Sequence, residues 1–186
     1  MREALQAARE GLARLPDRMA EQSHTDRSVK TVACFVITVS DTRDETTDRS
    51  GALIKTLLQE NGHTVTGYEI VKDEPGDIRA LLAKALARDS VEAVILNGGT
   101  GIAPRDGTYE VVSSVLEKRI DGFGELFRFL SYEEIGSAAM LSRAIAGTAG
   151  CRVVASLPGS SGAVKLAMTG LLLPQLGHMV AQARGL

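Results

Sequence analysis

The stretch "LNGGTGIAPRDGTYEVV", residues 96–112, sets Gly98, Gly99 and Gly101 around Thr100 and closes on Asp106. Glycine adopts positive φ without the roughly 1–2 kcal/mol penalty of an L-side chain, and it leaves successive backbone N–H groups uncovered. With a helix starting near Thr108, such a loop can cradle an anion, most simply a phosphate, or the edge of a polar ring. A tight turn that serves only the chain itself uses the same residues. The P-loop pattern is absent, because no lysine follows the glycines. The dinucleotide fingerprint is absent too, since Ile102, Ala103 and Pro104 follow Gly101.

Two acids accompany this loop: Asp106 at its end and Asp73 at a neighbouring strand exit, within "KDEPGD". If both face one crevice their charges repel, and one takes up a proton unless a cation lies between them. Mg²⁺ suits that arrangement, because it takes one or two carboxylates and completes its shell with water and substrate phosphates. Singly, Asp106 also fits an ion pair with Arg105 or a helix cap, and Asp73 an ordinary turn acid. The segment "PGSSG", residues 158–162, is a proline-set turn followed by Ser160 or Ser161 as a helix N-cap. It either holds an anion or only closes the helix. Ser160 is a poor candidate nucleophile: G-x-S-x-G is not met and no histidine is placed to activate it.

These residues need a frame. "TVACFVITV", "HTVTGYEIV", "VEAVIL" and "CRVVASL" read as strands, the first apolar enough to be covered on both faces. Between them lie helical patterns: "DRSGALIKTLLQENG", with Leu53, Leu57 and Leu58 on one face; "IRALLAKALARD", capped by Asp77; and "TYEVVSSVLEKR". "SYEE" at Ser131 fits a capping box that opens a helix over "EIGSAAMLSRAIAG". A helix follows "PGSSG", and a last one runs from near Leu172 to Arg184. Strands alternating with helices predict an α/β fold, a three-layer, mostly parallel sheet with helices on both faces. Ligands of such sheets bind beyond the strands' carboxyl ends. Those ends read "SDTRD", "KDEPGD", "NGGTGIAPRD" and "PGSSG", all of them polar, acidic or glycine-rich. Residues 1–30 differ, with Leu5, Ala8, Leu12 and Leu15 at helical spacing before a polar linker, so the chain divides into an N-terminal extension (1–30) and one domain (31–186).

The totals narrow the function. A net charge of −2 advertises neither nucleic acid nor an anionic membrane as partner, and 4% aromatic residues argue against stacking platforms for single strands. Cys34 and Cys151 lie in apolar runs and read as free core thiols of a reducing compartment. His24, His63 and His178 show no ligand spacing. The start is broken by charge every few residues, unlike a signal peptide, and no run approaches a membrane span, which predicts a cytoplasmic protein.

"GGTGIAPRDGTYE", "SDTRD", "GFGELFRFLSYEEIGS", "LSRAIAG" and "LPGS", in their order along the chain, resemble the MoaB/Mog family of molybdenum cofactor biosynthesis proteins from about Val32 to Leu176. "FRFLSYEEIGS" is more similar to the MoaB branch. The resemblance implies a domain that binds molybdopterin and, in active members, adenylylates it with ATP and Mg²⁺. It puts the family's functional aspartates on Asp73 and Asp106, and its glycine motif on Gly98, Gly99, Thr100 and Gly101. It puts pterin contacts around Ser40, Asp41, Ser142, Arg143, Pro158, Gly159 and Ser160. It also implies a homo-trimer or homo-hexamer, with a non-catalytic pterin-binding scaffold as the alternative role. The family commonly has proline where Tyr109 stands.

Overall fold

A computed structural model describes residues 28–186; the helix expected within the first fifteen residues lies outside them. The order is β1 (Ala33–Val39), α1 (Arg49–Glu60), β2 (Thr64–Val71), α2 (Pro75–Leu86), β3 (Ala93–Asn97), α3 (Thr108–Val115), β4 (Lys118–Arg119), α4 (Asp121–Ile135), a 3₁₀ turn (Gly136–Leu141), β5 (Ile145–Ala149), β6 (Arg152–Leu157), α5 (Ser161–Ala167), a π turn (Met168–Leu172) and α6 (Leu173–Arg184). The strands form one sheet in the order β2-β1-β3-β6-β5-β4. The first four in that row are parallel neighbours, while β5 runs antiparallel to β6 and β4.

Successive strand side chains leave opposite faces, so an all-apolar strand feeds two cores. Cys34 and Val36 of β1 join Ile54 and Leu58 of α1, Phe123 and Phe127 of α4, and Val164 and Leu176. Phe35, Ile37 and Val39 pack instead with Ile78 and Leu82 of α2 and Val111 and Val112 of α3. The three-layer α/β sheet with helices on both faces is therefore the observed architecture.

Four local expectations change. Phe123, Phe127 and Ser131 are buried at every fourth position, so one helix runs through "SYEE"; Ser131 sits inside α4 and opens nothing. The "AIAG" expected to be helical is strand β5, because its backbone completes the ladder beside β6. In the third helix, "EKR" leaves the helix, and Lys118 and Arg119 pair with β5 as a short edge strand. Asp77 does not cap α2, which starts at Pro75, where the fixed φ of proline suits a first helical position and its missing N–H costs nothing. Cys34 is a core thiol, pushed up to about 12 by burial and the Glu92 charge, but Cys151 is exposed in the turn between β5 and β6. Among the described residues no helix is long and apolar enough to cross a membrane.

Candidate functional site

Because β1, β2, β3 and β6 are parallel neighbours, their exits crowd one end of the sheet. The antiparallel β5 begins where β6 ends, so Ser142 and Arg143 reach the same end from the opposite direction. A cavity of about 500 Å³ opens there, lined by Ser40, Arg43, residues 98–101, Asp106, Ser142 and residues 158–160. One wall is apolar, from Phe127, Ile135 and Leu141. A second recess of about 380 Å³ holds Pro75, Ile102, Gly107, Glu110 and Arg143, and Asp106 lines both.

The glycine loop is the partition between them. Gly98 (φ +96°) and Gly99 (φ +62°) take backbone conformations that L-residues avoid. Gly98 N donates to Leu157 O at 3.1 Å and Thr108 N to Gly99 O at 3.0 Å, which ties the loop to β6 and to the start of α3. Asp73 packs against Gly99: a Cβ added there would lie 2.7 Å and 2.8 Å from its carboxylate oxygens. Its Oδ1 accepts from Gly107 N at 3.3 Å, and its own N–H donates to Asp41 at 3.2 Å. Asp106 accepts from Ala103 N at 2.8 Å. Arg105 instead bridges Asp41 (3.3 Å) and Glu74 (2.7 Å). Burial raises the Asp73 carboxyl above its ordinary value against the pull of the Gly107 amide, and the negative charges of Asp106 and Asp41 raise it further.

Of the anticipated site residues, Asp41, Asp73 and Arg143 lie outside the lining of the larger cavity. Arg143 turns its donors onto the loop's own carbonyls: Nε to Thr100 O at 3.1 Å, and Nη2 to Gly101 O and to Asp106 O at 3.2 Å. It pairs with Glu110 and lies 5.0 Å from the centroid of the Tyr109 ring, so the residue at the family's proline position carries the arginine. The side chains of α4 and the 3₁₀ turn that form the apolar wall were missed, because that stretch read as a differently placed helix.

Arg43 and Asp48 were also missed. Asp48 is buried and caps α1 through Gly51 N (3.0 Å), and it accepts from Thr38 (2.5 Å), Tyr68 (2.6 Å) and Ser50 (2.9 Å). Burial pushes its carboxyl up, but those bonds outweigh it and hold the group below its usual value, ionised. Arg43 donates to Asp48 (3.5 Å), to Ser50 and, through both terminal nitrogens, to Gly159 O at 3.2 Å. The aspartate of "DRSG" just before a helical pattern was the legible N-cap signal.

An α/β domain whose parallel strand exits gather a glycine loop, paired acids and an anchored arginine is a binding protein for a small, charged ligand. The family described as "Probable molybdopterin binding domain" matches residues 35–178. Molybdenum cofactor biosynthesis protein B of Bacillus anthracis is 56% identical over 162 residues, covering 87% of this chain and 96% of that protein. Its Bacillus subtilis namesake is 50% identical over 167 residues, covering 89% and 98%. A crystal structure of molybdenum cofactor biosynthesis protein B superposes with a TM-score of 0.82 at 55% identity, covering 84% of this chain and 98% of the other. The tungsten cofactor synthesizing protein MoaB from Pyrococcus furiosus gives 0.75 at 38%, covering 84% and 99%. The chain belongs to the MoaB/Mog family of molybdenum cofactor biosynthesis proteins.

Proposed function

We propose that this chain is a cytoplasmic molybdopterin adenylyltransferase: it binds molybdopterin in the larger cavity and transfers AMP to it from ATP. The observation that carries the reading is the pair of recesses that meet at Asp106, one with an apolar wall fit for a ring and one that holds Glu110 and Arg143 beside Pro75 and Ile102. A terminal phosphate oxygen of the pterin attacks the α-phosphorus of ATP, and the bond to the β-phosphate oxygen breaks to release pyrophosphate. That nucleophile is already ionised at neutral pH, so the protein's task is to position two anions and offset their repulsion.

The donor set fits Mg²⁺. Among the described residues no three His, Cys, Asp or Glu side chains cluster to cage a metal, but Asp73 and Asp106 offer hard oxygens beside one loop, with Asp73 held against its electrostatic preference. Bound there, Mg²⁺ would neutralise phosphate charge as a Lewis acid. The loop amides of Gly98, Gly99, Thr100 and Gly101, with Ser40, Asp41, Ser142, Pro158, Gly159 and Ser160 around them, would hold the phosphate and the pterin. Arg143 would keep the loop in shape.

The test is a pyrophosphate-release assay run beside a pterin-binding assay. Pyrophosphate that appears only when ATP, Mg²⁺ and molybdopterin are all present is the expected result. Pterin binding with no pyrophosphate would identify the non-catalytic scaffold, a reading favoured by Asp73, which lies outside the cavity lining and caps a turn. Leu126, Phe129, Tyr132, Ile135 and Met140 expose an apolar strip along α4 and the turn after it, which we assign to a homo-trimer or homo-hexamer contact. Light scattering should give three or six times the chain mass; a monomer at micromolar concentration would remove the assignment.

A further inference from the structure

We propose that Arg43 selects ligands bearing a terminal phosphate, gripping two phosphate oxygens with the side of its guanidinium; this rests on the reading of the larger cavity as the pterin site. Among the described residues lining that cavity only two carry charge, Arg43 and Asp106, and they have opposite signs. Arg43 is its cation.

The guanidinium has five N–H donors in a fixed plane. The two that point end-on converge on Gly159 O, each nitrogen 3.2 Å away. The other Nη1 hydrogen serves Ser50 and Asp48. Nε–H and the outer Nη2–H have no partner among the described residues. These two are parallel and adjacent, the pair that meets a phosphate bidentately. The side chain remains 36% exposed although its head is anchored from three directions, so donors are both free and fixed.

The anchors explain the investment around Asp48. Thr38, Tyr68, Ser50 and the Gly51 amide all donate to one buried carboxylate, which fixes the counter-charge and through it the arginine. Gly159 lies at the exit of β6 and Arg43 at the exit of β1, so the contact also pins two strand exits together. In the same cavity, Phe127, Ile135 and Leu141 supply an apolar wall against which a ring would lie. A ligand with a flat ring and a phosphate tail matches both ends.

The experiment titrates the full chain with neopterin and with neopterin 3′-phosphate, read by pterin fluorescence. Arg43→Gln should weaken the phosphate-bearing probe about 10- to 100-fold, the range of a hydrogen-bonded charge contact, and neopterin itself by less than about twofold. Arg43→Lys should lose most of that increment, because it keeps the charge and discards the fork. Unchanged neopterin binding reports that each variant is folded. Equal losses for both probes, or no loss for either, would overturn the proposal. If the wild-type chain binds neither pterin, the pterin reading fails, and inorganic pyrophosphate, titrated by calorimetry, decides Arg43 alone. A loss of tenfold or more in Arg43→Gln then upholds it; no change, or no pyrophosphate binding at all, rejects it.

Discussion

Asp106→Asn is expected to stop AMP transfer while the chain stays folded and still binds a pterin. Asparagine keeps an oxygen to accept from Ala103 N, the one hydrogen bond the carboxylate makes among the described residues, so the turn at residues 103–106 survives. What is lost is a negative charge at the meeting point of the two recesses. Removing one preorganised charge-stabilising group typically costs a hundredfold to a thousandfold in turnover. A fall of at least about a hundredfold is the expected outcome here, with the Mg²⁺ concentration for half-maximal rate moving upward. Asp73→Asn supplies the companion measurement. A carboxyl whose folded pKa is raised costs nothing below its unfolded value, near 3.9, and costs most above its folded one. At neutral pH Asp73→Asn removes that cost and keeps the acceptor for Gly107 N, so it should melt no lower than wild type while losing activity. If Asp106→Asn turns over normally, the carboxylate pair does not hold the metal.

That Asp73 and Asp106 stand at one end of the sheet beside the glycine loop was legible in the sequence because it needed only strand order. Parallel strands put their exits on one side, and any exit rich in glycine or acid then faces the same ligand. Harder to read was whatever depended on two segments meeting. The family resemblance named Arg143 as a pterin contact, but nothing beside Ser142 announced its bonds to carbonyls some forty residues away or its pairing with Glu110. Arg43 stands within "SDTRD", but nothing in that motif singled it out over its neighbours, and its anchoring depends on Gly159, 116 positions along the chain. The helix boundary near Ser131 failed for a local reason. A serine with a glutamate three residues on imitates a capping box, but burial of Phe123 and Phe127 against the sheet decides where the helix starts. Tertiary burial outweighs a cap worth about 1 kcal/mol. β5 escaped because a short alanine-rich strand has no period to distinguish it from a helix.

Gly98→Ala is expected to be the most destabilising single substitution in the loop. Its φ of +96° lies beyond what an L-residue adopts readily, which alone costs roughly 1–2 kcal/mol. The added Cβ would lie 2.2 Å from the carbonyl oxygen of Val39, a backbone atom at the end of β1. A side chain could swing aside, but this oxygen is fixed by a strand paired on both edges. The loop must therefore move, and it cannot do so without straining the Gly98 N to Leu157 O bond that joins it to β6. A total of about 3–5 kcal/mol follows, in the range reserved for strain and overpacking. Phosphate-dependent binding should fall with it. Gly162→Ala is the control: that glycine is helical, and no atom of the described residues outside its own helix turn lies within 4 Å of the position its Cβ would take. It should be neutral or stabilising by a few tenths of a kcal/mol to about 1 kcal/mol. Thermal melts of the two alanine variants thus test whether the loop's backbone is pressed between β1 and β6. Equal melting temperatures would mean that it is not, and the anion cradle would lose the rigidity on which its selectivity rests.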